Sequence, residues 1–230
     1  MILAVHSSPR KRGNLERMVI QAAQASGHEY ELIRLADLSI SPCAGCVKCA
    51  QSKRCVQDDD MRSLYPRFEQ IDGLIMGGVN YNGRMNSLAH VFLERLFPLY
   101  HQEPVFRNMP AAIVAVGGEA PQKAAQDMAG YLKNIYFCNV IGAALFTSDT
   151  PPCFSCGLGP KCPVGIPALT WREKDFQSFT RVSKDIFLRF EDNPDVVLAA
   201  RRLGETLAKA IAGEWSRPRS GGGFYLPSSG

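Results

Sequence analysis

Four cysteines fall within thirteen residues of this 230-residue chain: Cys43, Cys46, Cys49 and Cys55, in the segment PCAGCVKCAQSKRCVQDDDM from Pro42 to Met61. Their pattern is C-x2-C-x2-C-x5-C. Three thiols at intervals of three residues curl onto one centre, and the fourth closes it. Iron–sulfur clusters of the ferredoxin type use such spacing because a cube of iron and sulfide offers four separated corners to four thiolates. A structural zinc ion more often takes two distant C-x2-C knuckles. Two disulfides in so short a cytosolic segment would be strained and easily reduced. A [4Fe–4S] cluster therefore comes first, with metal-free redox thiols and zinc left open beside it. Gly45 lets the backbone wrap closely. Lys48, Lys53 and Arg54 lie in the loop and either offset the charge of the thiolates or are simply exposed loop residues.

A second group, Cys153, Cys156 and Cys162, repeats C-x2-C-x5-C, and Pro163 follows its last member. With Cys138 it makes four thiols, but Cys138 sits in an apolar run where a lone cysteine is usually a small hydrophobe. A second metal site, a redox dithiol and plain structural thiols all fit this group. The histidines, His6, His28, His90 and His101, show no metal-ligand spacing and read as strand or surface residues.

A third chemical feature is the segment SSPRKRGN from Ser7 to Asn14. Ser7 and Ser8 offer hydroxyls, Arg10, Lys11 and Arg12 offer positive charge, and Gly13 permits a tight turn. The first amides of a following helix would point back at the loop, making an anion site. Neither G-x-G-x-x-G nor G-x-x-x-x-G-K-[ST] occurs, so a single phosphate, as in a mononucleotide, suits the loop better than a dinucleotide.

The elements that must position these residues alternate. The apolar runs ILAVHS, EYELIRL, GLIMGG, AAIVAVGG and NVIGAALF read as strands, and helical spacing follows the first run at Leu15, Met18, Val19, Ala22 and Ala23. Further helices are expected after the acidic run Asp58–Asp60, near 87–96 and over 121–136, with Pro66 a threat to the first of them. This predicts an α/β fold: a doubly wound, five-stranded parallel sheet with helices on both faces. The segments SSPRKRGN, GGVNYNG and GGEAPQ all follow strands directly and so share the carboxyl edge of the sheet, where such sheets bind ligands. The cysteine loop, 42–57, is an insertion in a first unit spanning 1–150. A Cys-containing C-terminal helical extension, 151–215, follows. It carries one apolar stripe at Phe176, Phe179, Ile186, Phe187 and Phe190. A second helix is capped by Asn193 and Pro194 and buries Val196, Ala200, Leu203, Leu207 and Ile211. The tail 216–230 is expected to be flexible in part.

SSPRKRGN resembles the phosphate loop G-S-P-R-x-x-G-N-T of the flavodoxin-like NADPH-dependent FMN reductase family. Ser8, Pro9, Arg10, Gly13 and Asn14 match, while Ser7 replaces a glycine and Leu15 a threonine. GGVNYNG stands where the family has S-P-x-Y-x-G, keeping Tyr81 and Gly83. The resemblance implies FMN held by Ser8, Arg10, Lys11, Gly13, Asn14 and Leu15, by Val79, Asn80, Tyr81, Asn82 and Gly83, and by Gly117 and Gly118. Tyr81 would flank the flavin ring or merely pack its loop. The compact cysteine motif after the second strand is similar to that of the iron–sulfur flavoproteins, a branch of the same family. That similarity implies one [4Fe–4S] cluster on Cys43, Cys46, Cys49 and Cys55, a homodimer or homotetramer, and ferredoxin or NAD(P)H as redox donor.

Composition narrows the remaining classes. Hydrophobic residues make up 46% and charged residues 21%, as in an ordinary globular protein, and the net charge of +4 is spread along the chain, so no nucleic-acid partner is expected. No apolar run reaches membrane-span length. The first residues place their charges after a short apolar stretch, the reverse of a secretory signal, so a cytoplasmic protein is expected. The reading is an FMN- and [4Fe–4S]-containing oxidoreductase that moves electrons from a reduced donor to an acceptor. No residue need act as a general acid or base. The alternatives are an NAD(P)H-dependent FMN or quinone reductase without a cluster, and a zinc-stabilised binding protein.

Overall fold

The structure is a computed structural model; residues 1–148, 162–164 and 188–215 are described. Cys153, Cys156, the aromatic stripe from Phe176 to Phe187 and the tail from Ser216 lie outside the described residues. In chain order the strands are β1 (Ile2–His6), β2 (Tyr30–Arg34), β3 (Gly73–Tyr81), β4 (Arg84–Met85), β5 (Pro110–Gly117) and β6 (Asn139–Thr147). The helices are α1 (Asn14–Ala25), α2 (Cys49–Ser52), α3 (Met61–Phe68), α4 (Ser87–Arg95), α5 (Pro121–Gly130) and α6 (Pro194–Ile211).

Five strands pair in parallel in the order β2-β1-β3-β5-β6, as the apolar runs predict. The addition is β4, a two-residue strand antiparallel to the end of β3. Asn82 and Gly83 join them with φ of 52° and 80°. Positive φ at both central residues is the geometry of a two-residue hairpin whose twist matches its strands.

The sheet buries both faces. Leu3 and Val5 of β1 meet Leu64 and Phe68 of α3, Phe92 and Leu93 of α4, and Met128 of α5. Ile2 and Ala4 meet Leu15, Met18 and Val19 of α1 with Ala200, Leu203 and Leu207 of α6. Gly204 sets the approach of α1 and α6, because a Cβ there would lie 2.0 Å from the carbonyl oxygen of Ala22. At the start of α6, Asn193 Oδ1 accepts from the Val196 amide at 3.3 Å, and Pro194 fills the first turn, as expected. Pro66 stays within α3, which ends two residues later at Phe68. The expected helix over 121–136 splits into α5 and a single π turn, Tyr131–Ile135.

Candidate flavin and iron–sulfur sites

Strands β1 and β3 flank the point where the strand order reverses, and their carboxyl ends carry the first two loops. The Ser7 amide donates to Gly77 O at 3.0 Å. The Ser7 hydroxyl donates to Asn86 Oδ1 at 2.5 Å, and Asn86 Nδ2 returns a bond to Ser7 O at 2.8 Å. Asn86, 4% exposed, precedes α4 and ties the first loop to the second; the sequence reading did not single it out. The third loop joins through Asn80, whose Nδ2 donates to Glu119 O at 2.8 Å. A Cβ on Gly117 would lie 2.6 Å from that same oxygen. The structure thus gathers three of the predicted segments at one edge. Asn80 Oδ1 is left buried without a partner, an orphaned acceptor of the kind a ligand satisfies.

Within the first loop the residues divide their work differently from the expectation. Gly13 is extended, at φ −73° and ψ 171°, and stands just before α1; the left-handed residue of the turn is Arg12, at φ 54°. Gly13 takes the extended form because the residue preceding a helix adopts it. The Ser8 hydroxyl accepts from the Arg10 amide at 3.2 Å. Leu15 is buried in the core, so only its backbone faces the loop's chemistry. The Asn14 side chain turns toward the C-terminal segment, donating to Leu188 O at 2.9 Å and accepting from Arg17 Nη2 at 2.7 Å. Arg17 also pairs with Glu191. The groups of this loop suited to an anion are the first amides of α1, with Ser8 and the exposed Arg10 and Lys11 beside them. Lys11 is exposed, Tyr81 is 49% exposed, and Val79 and Gly118 are half-buried.

His6 lies beneath this loop, fully buried, with neither ring nitrogen hydrogen-bonded. Burial pulls its pKa below the ordinary value, against the opposing pull of Glu16, whose Oε2 is 3.8 Å from Nε2.

Cys43, Cys46, Cys49 and Cys55 line one cavity together with Val56, Gln57, Glu94, Arg95, Phe97 and Pro98. Cys43 and Cys46 are exposed, Cys55 is half-buried and Cys49 is buried. Cys49 opens the short helix α2, which is bracketed by left-handed residues, Val47 at φ 55° and Lys53 at φ 52°. A β-branched residue in that conformation costs about 1–3 kcal/mol and persists only where surroundings fix it. Burial, then the nearby Cys55, Cys43 and Cys46, push the Cys49 thiol above its ordinary pKa. Among the described residues, no three His, Cys, Asp or Glu side chains converge closely enough to hold one metal ion. The four cysteines share the lining of one cavity without closing on a single point.

The cation at this cavity is not one of the loop's own. Lys48, Lys53 and Arg54 do not line it, whereas Arg95, forty residues beyond Cys55, does. The acidic run opens α3 as expected, the Met61 amide donating to Asp59 Oδ1 at 3.1 Å, and it does more. Asp60 Oδ2 accepts from the Ser39 amide at 2.6 Å, and Asp59 Oδ2 accepts from the Ser41 amide at 3.0 Å, so these carboxylates also fasten the segment leading into the cysteine loop. His101, expected at the surface, is half-buried with Nε2 3.7 Å from Cys49 Sγ. Cys138 is buried and its thiol is pushed up to about 12 by burial, which suits the small-hydrophobe reading. Cys162 is half-buried and free.

A parallel α/β sheet with three loops converging at its switch point is a flavodoxin-like architecture. The NADPH-dependent FMN reductase family model matches residues 1–150, and the chain belongs to that family. An iron–sulfur flavoprotein of Methanocaldococcus jannaschii is 32% identical over 119 residues, covering 50% of this chain and 61% of that protein. An iron–sulfur flavoprotein of Methanosarcina thermophila is 28% identical over 120 residues, 51% of this chain and 63% of the other. The matched region spans about three-fifths of the length of these curated relatives. Among solved structures, RosB with a bound 8-demethyl-8-formylriboflavin-5'-phosphate intermediate has a TM-score of 0.58 at 16% identity, covering 93% of this chain and 81% of that one; this likeness concerns the fold. No helix among the described residues is long and apolar enough to cross a membrane.

Proposed function

We propose that the chain carries FMN at the carboxyl edge of its sheet and one [4Fe–4S] cluster on Cys43, Cys46, Cys49 and Cys55, and transfers electrons from a reduced donor to an acceptor. The observation that carries the reading is the single cavity lined by all four cysteines of the motif. The iron–sulfur flavoprotein names of two relatives support it. When bound, FMN supplies the junction between two-electron and one-electron chemistry, and the cluster passes electrons singly.

The protein's part is to bind and orient. The first amides of α1, with Ser8, Arg10 and Lys11, would take the FMN phosphate. Asn80, Tyr81, Asn82 and Gly83, with Gly117 and Gly118, would border the flavin ring. Asn14 would contribute through its amide, since its side chain holds residues 188–190. The two sites stand at opposite ends of α4: Asn86 precedes it at the flavin loops, and Arg95 ends it at the cysteines. Nine residues of helix separate them by about 13 Å along the axis. A homodimer or homotetramer, as the resemblance implies, would offer a second subunit's flavin to each cysteine loop.

The decisive experiment is anaerobic purification with FMN, iron and acid-labile sulfide quantified per chain. About four iron and about four sulfide, the content of one cube, with one FMN, are expected. Iron and sulfide absent with FMN present would leave a cluster-free flavin reductase; zinc with neither would leave a binding protein. Steady-state turnover with NADPH, set against turnover with reduced ferredoxin, assigns the donor.

A further inference from the structure

Arg95 is 1% exposed and ends α4 against the cysteine loop. Its Nη1 donates to Asp59 Oδ2 at 2.5 Å, to Ser41 O at 2.6 Å and to Gln57 Oε1 at 3.3 Å. Its Nη2 donates to Asp59 Oδ1 at 3.0 Å and to Cys55 Sγ at 3.5 Å. The bidentate Asp59 pair and the two loop acceptors would suffice to anchor the loop. The sulfur contact is extra, and Nε is buried with no partner at all. Six residues on, His101 places Nε2 3.7 Å from Cys49 Sγ. One segment outside the loop, residues 95–101, thus brings a nitrogen to each of the two cysteines that are shielded from solvent, while Cys43 and Cys46 stay exposed.

Burying an arginine with an aspartate is expensive, and well-packed apolar residues would often hold a loop as well or better. The arrangement makes sense where the charge acts on something. Each electron added to a thiolate-bound centre makes its sulfurs more negative. A buried N–H donor stabilises that form more than the oxidised one and so raises the reduction potential, hydrogen bonds to the sulfurs being a recognised determinant of it. Asp59, which shares the Nη2 donor with Cys55, works in the opposite direction by neutralising the guanidinium.

We infer that Arg95, balanced by Asp59, sets the reduction potential of the centre held by Cys43, Cys46, Cys49 and Cys55, and that His101 adds a second donor at Cys49. The inference rests on the proposed cluster. The step concerned is the entry of one electron from the reductant; no bond forms or breaks and no proton moves.

The test uses the anaerobically purified full chain with its cofactors, titrated with dithionite at defined solution potentials. The reduced centre is followed by electron paramagnetic resonance, and iron and sulfide are measured on each sample. Arg95→Met removes donor and charge together and should shift the reduced-to-oxidised ratio at least tenfold toward oxidised, a fall of 59 mV for one electron. Asp59→Asn leaves the guanidinium uncompensated and should shift the ratio toward reduced. His101→Phe should move it in the direction of Arg95→Met. A merely structural pair would lose iron in both Arg95→Met and Asp59→Asn without opposite shifts.

Wild-type potential in Asp59→Asn and His101→Phe overturns the inference even if Arg95→Met does not fold; so do shifts of the same sign in Arg95→Met and Asp59→Asn. A wild-type chain lacking iron and sulfide overturns the cluster reading itself, whereas full iron with unmoved potentials overturns the tuning alone.

Discussion

Replacing Gly117 with alanine tests how the flavin loops are brought together. The backbone at Gly117 lies outside the left-handed region, so the cost is purely one of space. The new methyl would lie 2.6 Å from Glu119 O and 2.9 Å from Asn80 Cβ. That oxygen accepts the Asn80 side-chain amide at 2.8 Å, so making room also breaks the bond joining the second and third loops. Overpacking costs about 1–3 kcal/mol and the lost hydrogen bond about 1 kcal/mol, together roughly 2–4 kcal/mol. If the whole strain falls on the loops, FMN binding weakens by roughly 30- to 700-fold at 1.4 kcal/mol per decade. The assay is titration of deflavinated protein with FMN by fluorescence, paired with urea unfolding of the same preparation. Wild-type Kd together with a wild-type urea midpoint in Gly117→Ala would refute the reasoning. Gly130→Ala is the control: nothing lies within 4 Å of its Cβ position, so it should stabilise α5 by about 0.5–1 kcal/mol and leave the flavin untouched.

Further outcomes follow from packing and burial. Gly204→Ala drives a Cβ into the Ala22 carbonyl and should lower stability by about 1–3 kcal/mol in urea melts; an unchanged midpoint would deny the close contact of α1 and α6. The Cys138 thiol has a folded pKa raised from 9.0 to about 12. The folded chain therefore binds more protons across that window, and stability falls as pH rises from about 9. At pH 10 this one group should cost about 1.4 kcal/mol, and the buried phenols of Tyr65 and Tyr136, also raised, act in the same sense. Denaturation at pH 7.5 and pH 10 should show a smaller alkaline loss in Cys138→Ala than in wild type; equal losses contradict the assignment. In metal-free native protein, maleimide should label the exposed Cys43 and Cys46 rapidly and spare Cys138. Mass spectrometry of tryptic peptides decides, and early labelling of Cys138 would mean that β6 is not packed as described.

The sheet was readable because parallel strands covered on both faces are written as unbroken apolar runs, such as Ile2–Val5 and Ala111–Val116. The cap at Asn193 and Pro194 was readable for a local reason, since four consecutive residues, 193–196, contain the whole motif. That the four cysteines border one cavity is likewise local, since they lie within thirteen residues of each other. What escaped depends on distance along the chain. Arg95 bonds Cys55 across forty residues, and an arginine on an amphipathic helix ordinarily reads as solvent-exposed. Asn86 reaches Ser7 across seventy-nine, with no pattern linking the two. The Asn14 side chain was matched to a phosphate because its neighbours fit a motif, yet Leu188 and Phe190 claim it from the other end of the chain. The hairpin at Asn82–Gly83 did carry a signal, since that dipeptide favours positive φ at both turn positions. Its second strand, at two residues, was too short to show a pattern of its own.

Helix α4 has both ends fastened, Asn86 at its start to Ser7 and Arg95 at its end to Asp59 and Cys55. Each residue of an α-helix turns the next by about 100°. Deleting or inserting one residue between these anchors would swing the guanidinium roughly a quarter-turn off the sulfur, even with composition and apolar content intact. Only a change near a full turn, three or four residues, restores the bearing, and it does so at the expense of about 5 Å of reach. The length of this helix is thus quantised: evolution or design can exchange its side chains one at a time but cannot trim it by one.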